Sequence, residues 1–153
     1  VRLLSTSFGV FMRDAADSYS AEAPPLTQLG EVALSGVAEA MLPVALHVCR
    51  QLTGQAVALC DADGSIAICG GQAHAMDAIQ VASAKARSGA RPCIAVVDGV
   101  VTRPQAITAL QRAQVQALVI REIGDPAGGL VAAADAAGIA LLQLPEDWAS
   151  ATL

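Results

Sequence analysis

Aromatic residues are scarce in this chain. One Trp, one Tyr and two Phe make 3% of 153 residues, so no core can be built on stacked rings. A basic excess is missing too: nine Lys and Arg stand against fourteen Asp and Glu, for a net charge of −5. That balance argues against a free-standing nucleic-acid binder, which needs a positive stripe to neutralise phosphates. No helix-turn-helix with a basic recognition helix is visible. No apolar run is long enough to span a bilayer, because the most apolar stretch, residues 30–46, carries Glu31 and Glu39. The apolar patch at residues 8–12 is too short for a signal peptide and is followed by Arg13 and Asp14.

The catalytic and metal-binding vocabulary is equally thin. The four cysteines show no CxxC spacing, and Cys49, Cys60, Cys69, Cys93, His47 and His74 form no short fixed-spacing pair of the kind zinc sites use. Metal and cofactor are therefore expected to be absent, and the cysteines are expected to be buried thiols of a reducing compartment. A hairpin register that sets Cys60 opposite Ser65 and Cys69 opposite Ala56 keeps those two sulfurs too far apart for a disulfide. Gly70 and Gly71 precede a helix but are followed by no Lys-Ser/Thr and sit in no GxGxxG pattern. Asp61 and Asp63 beside Gly64 supply too few oxygens for a calcium loop and read as a turn.

What is abundant is aliphatic. The apolar fraction is 54%, and much of it is alanine, which predicts helices packed close to a sheet. Residues 105–145 read as helix, strand, helix, strand. Apolar runs at 117–120 and 139–142 are too short for helices and suit buried parallel strands. Between them Leu130, Ala134 and Ala137 recur at helical spacing, with Ala127 and Val131 on the adjoining face. Asp125 suits an N-cap, Pro126 the first helical position and Gly138 the residue after the last turn. This is a right-handed βαβ unit.

Upstream, residues 1–29 read as an arm and linker, and 30–153 as one domain. A long helical region over 27–52 contains Pro43, so it is either kinked there or split in two. Its stripe of Val37, Met41, Val44, Val48 and Leu52 reads as core or as a dimer seam. Strands follow at 55–60 and 65–69 as a hairpin, then a helix over 74–87 burying Ala75, Ile79, Ala82 and Ala86. A strand at 92–97 ends in an Asp98-Gly99 turn, and Thr102 is placed to cap a helix over 103–114 that buries Ala106, Ile107, Leu110 and Ala113. The fold class is thus α/β, with a mixed or mostly parallel sheet, a βαβ C-terminal half and a long N-terminal helical segment.

Two stretches resemble known sensory modules. Residues 47–71, HVCRQLTGQAVALCDADGSIAICGG, resemble the opening of GAF-type sensor domains of the sporulation-regulator kind, where a helix leads into a D-x-D-G hairpin. Residues 109–147, ALQRAQVQALVIREIGDPAGGLVAAADAAGIALLQLPED, resemble the end of the N-terminal sensory domain of PucR-type transcriptional regulators and the related DRTGG module. The first resemblance would route residues 123–133 as a hairpin turn and a strand, the second as a crossover helix.

The resemblance implies a regulatory role. Together with the thin catalytic vocabulary, the acidic balance and the apolar helix stripe, it gives the expectation of a non-catalytic, ligand-sensing domain of a bacterial cytoplasmic protein, homodimeric through residues 37–52, with no direct nucleic-acid or membrane contact of its own. The residues expected to meet a small-molecule ligand are Asp98 and Arg121, at the carboxyl ends of successive strands, with Gly70 and Gly71. Two other readings stay open: a small enzyme or enzyme subunit using Cys93 (with His74 as base) or Asp98, and a structural oligomerisation module.

Overall fold

The computed structural model describes residues 3–6, 9–12, 25–52, 54–86, 91–124 and 129–145. Strands β1 (Leu3–Thr6) and β2 (Gly9–Met12) pair with each other as a separate antiparallel ribbon. The main body is a six-stranded sheet. It comprises β3 (Thr27–Gln28), β4 (Gln55–Asp61), β5 (Ile66–Gln72), β6 (Pro92–Val101), β7 (Ala117–Ile123) and β8 (Ala140–Gln143), in the order β3-β8-β7-β6-β4-β5. Only β6-β7-β8 are mutually parallel; the other pairs are antiparallel, so the sheet is mixed. Thr27 and Gln28, within the stretch read as a linker, add the edge strand beside β8.

Among the described residues, four helices cover the sheet unequally. Helix α1 (Gly36–Arg50) lies on one face, and α2 (Ala75–Lys85), α3 (Gln105–Arg112) and α4 (Leu130–Ala137) lie on the other. Strand alternation sorts the side chains between two cores. Val57, Leu59, Ala95, Val97, Leu118, Ile120 and Leu141 pack under the three helices, while Ala56, Ala58, Cys60, Ile94, Val96, Val119 and Leu142 pack under α1. The βαβ unit forms as its pattern predicts, with α4 between parallel strands β7 and β8. Gly138 closes α4 at φ 73°, a left-handed conformation that an L side chain would resist. Residues 130–137 are helical, so the hairpin routing of this half is not the one adopted. The expected N-cap Asp125, first-turn Pro126 and face residue Ala127 lie outside the described residues.

Helix α1 is one helix rather than two. Ser35 caps it by accepting from the Ala38 N–H at 3.2 Å, and Pro43 sits inside it. Its buried stripe is Ala38, Leu42, Ala45, Leu46 and Cys49, not the Val37-to-Leu52 stripe expected. Small residues win this face because the sheet beneath, at Ala56, Ala58 and Cys60, is also small, so helix and sheet approach closely. Of the expected stripe, Met41, Val48 and Leu52 are partly buried against the edge of this core, Val44 is half-buried, and Val37 is left 50% exposed.

Three local expectations are corrected. Asp98 and Gly99 do not turn the chain: β6 runs through them to Val101, with a register irregularity between Val97 and Val100. Backbone pairing on both sides, to β4 and β7, outweighs the turn preference of an Asp-Gly pair. Thr102 does not cap α3, whose cap position is Pro104 with no side-chain bond. Cys60 faces Ile66 and Cys69 faces Val57, because the hairpin is one residue out of the expected register and irregular between Gln55 and Val57. Cys60 and Cys69 consequently belong to opposite cores, and all four thiols are free and buried.

Candidate functional site

The parallel strands and β5 all end at the same edge of the sheet, and helices α2 and α3 begin there. That edge is the usual ligand crevice of open α/β sheets. It holds a cavity of about 450 Å³ lined by Gln55, Ala73, His74, Ala75, Met76, Asp77, Val100, Val101, Thr102, Arg103 and Ala106. The volume lies in the range of small-molecule sites. One wall is the start of α2, from His74 to Asp77; the other is the end of β6 and the approach to α3. Neither His74 nor Pro104 provides a side-chain cap, so first-turn N–H groups of both helices lack that partner.

Gln55 forms the floor. Its Oε1 accepts from the Val100 N–H at 3.1 Å, tying the start of β4 to the irregular end of β6. Gly99 is required for this contact, because a Cβ there would collide with the Gln55 carboxamide. The absence of a side chain at residue 99 therefore shapes the cavity.

Of the residues selected from sequence, Asp98 and Arg121 come together. Arg121 Nε is 3.2 Å from Asp98 Oδ1, where adjacent parallel strands bring the two side chains to the α1 side of the same edge. Asp98 is 8% exposed. Burial pushes its carboxyl pKa up, and the Arg121 guanidinium pulls it back down. Gly70 and Gly71 stand apart from this pair. Strand β4 separates β5 from β6, so the backbones are about 10 Å apart. Gly71, at φ 72°, instead leads β5 into α2. None of Asp98, Arg121, Gly70 and Gly71 lines the 450 Å³ cavity.

The Cys93–His74 pairing does not form. Cys93 starts β6, buried, with its thiol donating to the Cys60 carbonyl at 3.3 Å. His74 lines the cavity with Val100, seven residues further along that strand, which is roughly 23 Å at strand rise. Burial also raises the Cys93 pKa, the wrong direction for a nucleophile. Among the described residues no three His, Cys, Asp or Glu side chains are grouped to hold a metal ion. Likewise no described helix is long and apolar enough to cross a membrane. The carboxylates of the Asp61–Asp63 loop are spent on backbone: Asp63 Oδ1 accepts from Ser65 N at 2.8 Å, and Asp61 Oδ2 from Arg91 N, ahead of β6, at 3.1 Å.

Sequence reading missed Gln55, Asp77 and Arg103 and gave Thr102 a different role. Here the first turns of the helices that follow β5 and β6 supply the polar walls.

Comparison with protein-family models gives no match, and comparison with curated proteins gives none.

Proposed function

We propose that this chain is a ligand-sensing regulatory domain, non-catalytic in itself, that binds a small metabolite in the cavity at the carboxyl edge of the sheet. The observation that carries this reading is the cavity itself: about 450 Å³, walled by two helix starts and floored by Gln55. The resemblance of residues 47–71 and 109–147 to GAF-type and PucR-type sensory modules points the same way. Four buried free thiols suit a cytoplasmic setting.

A homodimer belongs to the same proposal. The flank of α1 carrying Val37, Met41, Val44 and Val48 lies on the same side of the sheet as Ile66 and Ile68 of edge strand β5. Those two alternate with Ala67 and Cys69, which face the three-helix core. Among the described residues, Val37, Ile66 and Ile68 are large apolar side chains left exposed on this side of the sheet.

The test is a thermal-shift screen of the purified chain against metabolites, nucleotides and divalent ions, with its mass in solution measured alongside. A saturable rise in melting temperature with one organic ligand supports the sensor, since a ligand of the folded state stabilises it. A folded dimer that responds to nothing favours a structural module instead.

A further inference from the structure

The cavity carries one formal charge of each sign, Asp77 and Arg103, both exposed at its rim. Arg103 stands immediately before α3, which has no acidic residue in its first turn and no side-chain cap. The guanidinium and the partial positive charge of the helix start therefore reinforce each other on that wall. Asp77 stands in the first turn of α2, where the helix start offsets part of its charge, but its full negative charge leaves the carboxylate itself the acceptor for a cation on that wall. Among the described residues neither Asp77 nor Arg103 is held in an ion pair, although both line one cavity. Gln55 spends its carboxamide oxygen on Val100 N–H, and its Nε2 has no protein partner among those residues. Met76, Val100, Val101 and Ala106 supply an apolar stretch beside these groups.

A simple anion would meet Arg103 and α3 but would face Asp77 across the same space. A simple amine would meet Asp77 but face Arg103. A ligand with both charges satisfies both walls. We infer that the cavity takes an amphoteric small molecule of the α-amino-acid class. Its carboxylate lies against Arg103 and the start of α3, its ammonium against Asp77, and its side chain along Met76, Val100 and Val101. This assignment rests on the sensory reading above and names its ligand class.

The experiment uses the full chain and three matched probe sets in calorimetry and thermal shift. These are the common α-amino acids, the same carbon skeletons without the amino group, and the same skeletons without the carboxylate. For the leucine skeleton they are leucine, 4-methylpentanoate and 3-methylbutylamine. At least one amino acid binds, and its deaminated and decarboxylated counterparts bind about tenfold weaker or worse, the size of one charge-assisted contact. Arg103→Gln and Asp77→Asn each weaken that amino acid by a similar factor. Both leave the unliganded melting temperature nearly unchanged, since both side chains are exposed. Equal binding of the bare acid, or an Asp77→Asn variant with unaltered affinity, overturns the amphoteric assignment while leaving a sensor of anions. Binding of a neutral metabolite instead also overturns the amphoteric assignment and leaves a sensor of uncharged ligands. If no small molecule of any class binds the folded chain, the sensory reading falls together with its ligand class.

Discussion

Arg121 Nε lies 3.2 Å from Asp98 Oδ1, yet both atoms are shut off from solvent and neither is in a hydrogen bond. The pair is close enough to attract but misaligned for a linear N–H···O bond, so it is held by charge rather than by directed bonding. Removing one partner is costlier than removing the charge altogether. Arg121→Ala is expected to destabilise the fold by about 1 kcal/mol, discounted because the arginine is a third exposed. Asp98→Asn, which keeps the shape, should come close to neutral. Denaturant melts of the two variants and their combination give the coupling directly. A larger loss for Asp98→Asn than for Arg121→Ala would contradict this account.

The buried thiols set an alkaline limit on stability. Burial, aided by the nearby Asp98 charge, pushes the Cys49 thiol up to about 12 from 9.0. Burial also takes Cys60 to about 12, with the neighbouring Cys93 adding to the rise. A folded-state value above the unfolded one means the native chain holds its protons longer. The contribution is fully present below pH 9 and is lost as pH rises towards about 12. Melting temperature measured from pH 7 upward should fall through that window, and Cys49→Ala should reduce the slope.

Asp98 behaves like the thiols and unlike most carboxylates. Its raised value means that its charged form opposes folding, so its contribution is greatest below its unfolded value and declines as pH rises through the folded one. Melts in the acid range should therefore show Asp98→Asn gaining on the wild type as pH increases. The opposite trend would mean that Arg121, rather than burial, controls this carboxyl.

Ser35 fixes where α1 begins. Its Oγ accepts from Ala38 N and donates to Gln116 Oε1, both at 3.2 Å, pinning the helix start to the foot of β7. Ser35→Ala is expected to cost about 1 kcal/mol, whereas Ser35→Asp, which retains a capping oxygen, should cost less. Thermal melts compare the two.

Gly99→Ala separates ligand binding from folding. A methyl group there displaces the Gln55 carboxamide and breaks its bond to Val100 N–H. Stability should fall by about 1 kcal/mol for one lost hydrogen bond. Affinity for any ligand of the carboxyl-edge cavity should fall further, because Gln55 forms its floor. Unchanged affinity in this variant would place the ligand elsewhere.

The C-terminal βαβ unit was legible in the sequence because local signals agreed: short apolar runs, an alanine-rich helical period and Gly138 where the chain must turn left-handed. The α1 face was misread for a physical reason. Weighing side chains by size favours Val37, Met41 and Val44, but a helix lying on Ala56, Ala58 and Cys60 packs best through its own Ala38, Ala45 and Cys49. Asp98 and Gly99 looked like a turn because that decision is local, while the strand that absorbs them is fixed by neighbours forty residues before and twenty after. The Asp98–Arg121 approach was readable, since both residues end successive parallel strands. The cavity was not. Gln55, Asp77 and Arg103 carry no motif, and they meet only because antiparallel β4 returns β5 to the same edge as β6.

The most direct measurement is amide chemical-shift mapping of the full chain titrated with the ligand found by screening, repeated on Ala73→Trp, which fills the cavity mouth from an exposed position. The account requires saturable shifts concentrated at residues 73–77 and 99–106, and their loss in Ala73→Trp. Shifts centred on Gly70, Asp98 and Arg121 that persist in Ala73→Trp would contradict it, and would move the ligand to the α1 side of the sheet edge.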